Sequence, residues 1–232
     1  MSGRKARCRG WFAGVVVAGV LGLQGVRADG DFAALEPANT TTGYLARLLI
    51  NETPFPGERA YVSEEETKTA MLQILWVLHG RIHLIPAGYT QQQVAGVRTD
   101  DIIVVITGGG GRRQCEGFYE DAAGRPRTEP RVEERIRYLL GIANKGSGPG
   151  RFARLLNYGQ GLARAYVKEG IQGADAYADL MFVGSMRVTG HAYSWMTNVN
   201  NYHPGGNYVF IPDEEDGAFG GNRFFTLRRD PK

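Results

Sequence analysis

Residues 64–83 form the segment that most restricts how this chain can fold. Its apolar residues recur at the three- and four-residue spacing of a helix face: Ala70, Met71, Ile74, Leu75, Val77, Leu78 and Ile82. Ser63, with Glu66 three residues later, is a capping-box pattern that predicts where this helix begins. A helix with so continuous an apolar face has to be covered by other elements, so we expect it to be central and buried.

The remaining segments predict a mainly helical, α+β domain. Further helices are expected near 42–52, 131–143 and 151–168, and short extended pieces near 207–211 and 222–227. The run 102–106 is short and β-branched, so helix and strand both remain open there. After Gly170 the sequence becomes turn-rich and aromatic, which predicts a small irregular or β cap on the helical core.

The N-terminus has the organisation of a secretory signal peptide. Four basic residues precede a 13-residue apolar stretch, Trp11 to Leu23, and Val26-Arg27-Ala28 suits signal peptidase. A bilayer span needs roughly 20 residues, so an uncleaved membrane anchor is the weaker alternative. We therefore expect residues 1–28 to be removed on export to the periplasm, cell wall or extracellular space. Residues 29–232 would then form one domain without a stable membrane span.

Cleavage would also change the net charge. The whole chain has 27 Lys+Arg and 24 Asp+Glu, a formal charge of +3. Residues 1–28 contain five of the basic residues and none of the acidic ones, which leaves 22 against 24, or −2. The basic balance belongs to the leader, so it gives no reason to expect nucleic acid as a partner.

Glu52 is the candidate catalytic residue. It ends the apolar run 44–52, and Thr53-Pro54-Phe55-Pro56-Gly57 cannot continue a helix. A carboxyl group at such a break can be half-buried beside a cleft. Burial would then raise its pKa and keep it protonated, as a general acid requires. The alternative is an exposed helix-end carboxylate without chemistry.

The C-terminal third is rich in aromatic and amide side chains. His191-Ala192-Tyr193-Ser194-Trp195 is followed by several asparagines, by Asn207-Tyr208, and by Gly220-Gly221-Asn222-Arg223. Aromatic faces stack on sugar rings and amides pair with hydroxyl groups, so this region could line a glycan groove. The alternative is that these aromatic residues fill a small core.

The order of these motifs resembles the cell-wall hydrolases of the spore cortex-lytic type. The motifs are L-A-R-x-[apolar]-x-x-E ending at Glu52, a second glutamate at Glu58, Gln114 to Phe118, and the segment 220–225 (GGNRFF). The resemblance covers about residues 43–83 and 110–226. The chain departs from the family in the spacing from Glu52 to Glu58. It also has His79-Gly80-Arg81-Ile82 where an Asn-Arg pair is usual.

The resemblance implies a lysozyme-like fold and cleavage of the β-1,4 glycosidic bonds of peptidoglycan glycan strands. Glu52 would be the acid, as a lytic transglycosylase or a muramidase-like enzyme requires. The cap and the family motifs together predict eight substrate-binding residues: Glu58, Gln114, Phe118, Tyr193, Trp195, Asn207, Asn222 and Arg223.

A second carboxylate could come from Glu58, Asp100 or Asp101. We favour simpler roles, with Glu58 solvated and Asp100 an N-cap. A lone Glu52 favours transglycosylation, in which the sugar's own 6-hydroxyl replaces water.

Other chemistries have weaker support in the sequence. His79 and His83 are four residues apart on one helix, but no H-E-x-x-H motif accompanies them. The lone mature cysteine, Cys115, lies in no protease signature and can form no intramolecular disulfide. We expect no metal and no cofactor. The alternative function is an exported, non-catalytic glycan-binding protein on the same fold.

Overall fold

The computed structural model describes residues 31–108, 115–145, 147–179, 191–197 and 203–229, and these all lie in one compact unit. The predicted signal peptide lies outside the described residues. The helices are α1 (Thr41–Asn51), α2 (Glu64–His83), α3 (Gln91–Ala95), α4 (Ile102–Thr107), α5 (Pro130–Ala143) and α6 (Arg151–Ala178). The strands are β1 (Phe118–Glu120), β2 (Pro126–Thr128), β3 (Ser194–Thr197), β4 (Tyr208–Phe210), β5 (Ala218–Phe219) and β6 (Asn222–Leu227).

Helix α1 lies in the middle of the helical core. Every residue from Thr42 to Ile50 is buried, and the helix packs chiefly against α6. Its one buried charge, on Arg47, is paired with Glu133 at 3.0 Å, and the guanidinium also donates to the carbonyl oxygens of Glu36 and Gly43. A buried guanidinium is tolerated when it is paired in this way. These contacts tie α1 to α5 and to the segment that precedes α1.

Helix α2 confirms the prediction of a long buried helix. The hydroxyl of Ser63 accepts a hydrogen bond from the backbone N–H of Glu66 at 3.1 Å, and α2 packs on α6. At Gly159 of α6, an added Cβ would lie 3.1 Å from a side-chain carbon of Ile50. The absence of a side chain at this point lets α6 approach α1 closely.

In the described part of the chain two small antiparallel sheets accompany the helices, so the fold is mixed α+β. Strands β1 and β2 form a hairpin, with Phe118 opposite Thr128. The larger sheet has the order β3-β6-β4, and β5 also pairs with β6. Trp195 lies opposite Phe224, and Tyr208 lies opposite Leu227.

Several boundaries differ from the sequence predictions. Helix α6 continues to Ala178 rather than ending near 168, and it is interrupted at Gly170, where a φ of 67° departs from helical geometry. Segment 102–106 is helical. Asp101, not Asp100, is its N-cap, and its carboxylate accepts from the N–H of Ile103 at 2.8 Å. No helix in the described ranges is long and apolar enough to cross a bilayer.

Candidate functional site

A cleft of about 850 Å³ opens where the end of α1 meets the larger sheet. Asn51 and Glu52 lie on its α1 side, Arg81 of α2 and part of α3 form another wall, and Trp195 and Asn222 come from β3 and β6. Its volume is in the range of small-ligand sites. We call this the Glu52 cleft.

Side chains satisfy the last carbonyl groups of α1, which have no partner within the helix. The hydroxyl of Thr53 donates to the Leu49 carbonyl at 2.8 Å, and Arg135 donates to those of Ile50 and Thr53. The Asn222 amide donates to the Glu52 carbonyl at 2.9 Å. These bonds fix the backbone that carries Glu52.

Glu52 is half-buried as a residue, and its carboxyl group accepts from two N–H donors. The indole N–H of Trp195 donates to its Oε2 at 3.1 Å, and the Asn51 amide donates to its Oε1 at a longer 3.3 Å. Burial raises the pKa of Glu52 above its ordinary value, and the negative charge of Glu116 adds to this shift. The two hydrogen bonds and the charge of Arg135 oppose it. The net direction favours a protonated carboxyl group.

A tight glycine turn brings Asn222 to this position. Gly220 and Gly221 have φ of 54° and 78°, the left-handed values that a two-residue hairpin turn requires. Added Cβ atoms would lie 2.7 Å from the Glu66 carbonyl oxygen and 2.6 Å from a ring carbon of Pro54. Only glycine fits between α2 and the segment after α1, so this turn anchors the start of β6 beside Glu52.

Strand β3 brings Trp195 to the cleft, and Arg81 packs on it. The guanidinium lies 5.4 Å from the centre of the Trp195 ring, a cation–π distance. Its Nε–H donates to the Tyr193 carbonyl at 2.7 Å, which ties α2 to β3. The indole thus contacts Glu52 through its N–H and Arg81 through its face.

The other carboxylates of the cleft are held in ion pairs. Glu58 accepts from Arg135 at 2.8 Å and from the backbone N–H of Phe55 at 2.8 Å. Glu116, which is mostly exposed, lies 2.7 Å from Arg131. Both carboxylates therefore have an arginine partner, whereas Glu52, within the described ranges, accepts only from neutral N–H donors.

Four of the residues predicted to contact substrate do not line the Glu52 cleft. Phe118 is fully buried in the core, edge-on to Tyr44. Tyr193 is also buried, packs with Tyr89 and Val94, and donates from its hydroxyl to the Leu84 carbonyl at 2.7 Å. Neither side chain lines the Glu52 cleft.

Asn207 and Arg223 also lie away from the Glu52 cleft. Asn207 precedes β4, and its carbonyl accepts from the N–H of Arg228 at 3.0 Å. Arg223 alternates with Asn222 along β6 and so points to the other face, where it covers the ring of Phe210 at 5.4 Å. Glu58, Trp195 and Asn222 do line the cleft, and Gln114 lies outside the described residues.

Three further residues line the cleft although no sequence pattern predicts them as site residues: Asn51, Arg81 and Arg135. Asn51 directly precedes the candidate acid, which was a usable signal. In the sequence, Arg81 lies in a segment that departs from the family pattern, and this departure does not indicate a role in the cleft. Arg135 reaches Glu58 from α5, 77 residues away in the chain, and no local pattern indicates that contact.

Metal-binding groups are sparse in the part of the chain described. The rings of His79 and His83 are 4.5 Å apart, and burial lowers the pKa of His79 to about 4. No group of three His, Cys, Asp or Glu side chains that could hold a metal ion occurs among the described residues. The guanidinium and amide groups that line the cleft can donate hydrogen bonds to a polar ligand.

Comparison with known proteins gives no match: no family model, no curated protein and no solved structure is significantly similar to this chain.

Proposed function

We propose that the protein is an exported enzyme that cleaves the β-1,4 glycosidic bonds of peptidoglycan glycan strands. The motif order of the spore cortex-lytic type and the signal-peptide pattern support this proposal. A helical core with a small sheet is compatible with the lysozyme-like fold that the resemblance implies.

The observation that carries the proposal is the state of Glu52. It is a partly buried carboxyl group at the wall of a cleft, with a pKa raised by burial and an orientation set by Trp195. Protonating the leaving oxygen of a glycosidic bond requires such a group. Oε2 accepts the shorter bond, from the indole, and Oε1 accepts the longer one, from Asn51.

The surrounding carboxylates favour a reaction with one catalytic acid. Glu58 and Glu116 form ion pairs with arginines, and Asp101 is the N-cap of α4. In the transglycosylation route, Glu52 gives its proton to the glycosidic oxygen as the bond to the anomeric carbon breaks. The 6-hydroxyl of the same sugar then attacks that carbon, and Glu52 takes up the hydroxyl proton. The product has a 1,6-anhydro end and no water is consumed.

The second candidate is a non-catalytic glycan-binding protein on the same fold. It is favoured by the two N–H donors on Glu52, since a carboxylate with only a structural role is held in the same way. In that case the cleft would hold the glycan without cleaving it.

Incubating the mature protein with purified sacculi separates the two functions. We expect soluble muropeptides from wild type and none from Glu52→Gln. Product with anhydro ends supports transglycosylation, and reducing ends would support hydrolysis. If Glu52→Gln releases as much product as wild type, Glu52 is not the acid. If wild type binds sacculi but releases nothing, the binding protein is the better description.

A further inference from the structure

Arg81 is the one cleft-lining side chain that is both buried and cationic without an anionic partner among the described residues. It is 4% exposed, and its Nε–H donates to the Tyr193 carbonyl. One of its terminal nitrogens is buried without any hydrogen-bond partner. The other buried arginine of the core, Arg47, is paired with Glu133.

The remaining cleft arginines do not share this condition. Arg131 is paired with Glu116, and Arg135 is paired with Glu58. Arg59 is exposed, so water can solvate its charge. A protonated Glu52 would leave the charge of Arg81 without a counter-ion in the cleft. Burying a charge in this way costs free energy unless an anion compensates it.

Two contacts fix the orientation of the Arg81 guanidinium. Stacking on Trp195 and one bond to a backbone carbonyl fix the plane of the guanidinium, which has five N–H donors in total. Arg81 lines the cleft, and one of its terminal nitrogens has no partner, so its planar fork can donate to a carboxylate oxygen. Because the indole also contacts Glu52, the anion would lie one ring away from the candidate acid.

We propose that Arg81 binds a carboxylate carried by the glycan strand next to the bond that is cleaved. This rests on the proposed function and specifies its substrate as an acidic strand. The carboxylate could be the lactyl group of a muramic acid that has lost its peptide, or an acidic group of a retained stem peptide. Both sources present the same chemistry to the guanidinium.

Binding experiments with the full mature chain test the proposal, with Glu52→Gln used to prevent turnover. Three strand preparations serve as probes: peptide-free strands, the same strands with their carboxyl groups reduced to alcohols, and peptide-bearing strands. A hydrogen-bonded charge pair contributes about 1.5–3 kcal/mol, so we expect the better acidic strand to bind about 10–100-fold tighter than the reduced strand.

Arg81→Met in this background should bring that ratio close to one, and Arg81→Lys should retain part of it. The ratio is informative even if the variant is less stable, because unfolding weakens binding of both strands alike. Preference for peptide-free strands identifies the lactyl group, and preference for peptide-bearing strands identifies the stem peptide. Equal binding of acidic and reduced strands, or a preference that survives in Arg81→Met, overturns the proposal.

The two proposals fail in different ways. If wild type releases no product from sacculi but Arg81-dependent preference for acidic strands is found, the enzymatic function is wrong and the carboxylate site stands. If Glu52-dependent cleavage is found and reduced strands bind as well as acidic ones, the enzyme stands and the role given to Arg81 is wrong.

Discussion

Replacing Glu52 with glutamine should abolish cleavage and stabilise the protein at the same time. Glutamine keeps an oxygen that can accept from the Trp195 indole but has no proton to give. Proton transfer by a positioned side chain contributes about 10²–10⁴-fold to a rate, so we expect product release to fall by at least about 100-fold. The assay is chromatographic measurement of fragments released from sacculi over time.

The gain in stability follows from the raised pKa of Glu52. In the unfolded chain this carboxyl titrates at its ordinary value, and in the folded protein it titrates higher. The folded state therefore keeps its full stability below the ordinary carboxyl pKa and loses part of it as pH rises through the raised value. The glutamine variant does not have this loss. We therefore expect the Tm of the glutamine variant to exceed that of wild type at pH 7, and the difference to vanish in acid.

Glu116→Gln is the matched control, since it removes a carboxylate from the same cleft. Its side chain is 84% exposed and pairs with Arg131, an arrangement that contributes about 0–1 kcal/mol. We expect this variant to retain cleavage activity, because Glu116 contributes less than burial to the raised pKa of Glu52. A Glu52→Gln protein that cleaves as fast as wild type would refute the catalytic role. A Tm that falls at pH 7 would refute the reasoning from burial.

Three further outcomes are expected. Trp195→Phe removes the N–H that donates to Glu52 and favours its ionised form, so the pKa of Glu52 should rise. The alkaline limb of the pH–activity profile should then move to higher pH, and the maximal rate should fall. A limb that does not move would contradict this. Phe118→Ala should lower the free energy of unfolding by about 3–5 kcal/mol without moving that limb, as denaturant titration and the pH–activity profile can show. Burial raises the pKa of the Cys115 thiol, so iodoacetamide should label it slowly in the native protein and quickly in urea; equal rates would contradict its burial.

The long helices could be predicted because their signals are local. The apolar spacing of 64–83 and the Ser63 cap define α2 within the segment itself, and the structure has the helix at Glu64–His83. The sequence predicts that helix α6 ends near residue 168, because the segment after Gly170 is turn-rich. Packing of the residues beyond it, including Ile171 and Ala174, lets the helix resume after the kink.

The residues of the site could be predicted only in part. Asn222 and Arg223 are adjacent in one motif, yet the two-residue alternation of β6 places one at Glu52 and the other over Phe210. Sequence alone does not state which face of a short strand meets the cleft. Phe118 shows the same limit, since an aromatic residue in a family motif can serve the core as readily as a ligand.

The position of Glu52 at the end of α1 explains why a single carboxyl group can be kept protonated there. The C-terminal end of a helix carries a partial negative charge, which disfavours an ionised carboxylate. Donors from Thr53, Arg135 and Asn222 satisfy the neighbouring carbonyl groups, so the backbone that carries the acid is fixed. Because Trp195 still donates to Oε2, the ionised form has a partner after the proton leaves. The surroundings of Glu52 therefore support both its protonated and its ionised form. A residue that acts first as an acid and then as a base passes through both forms.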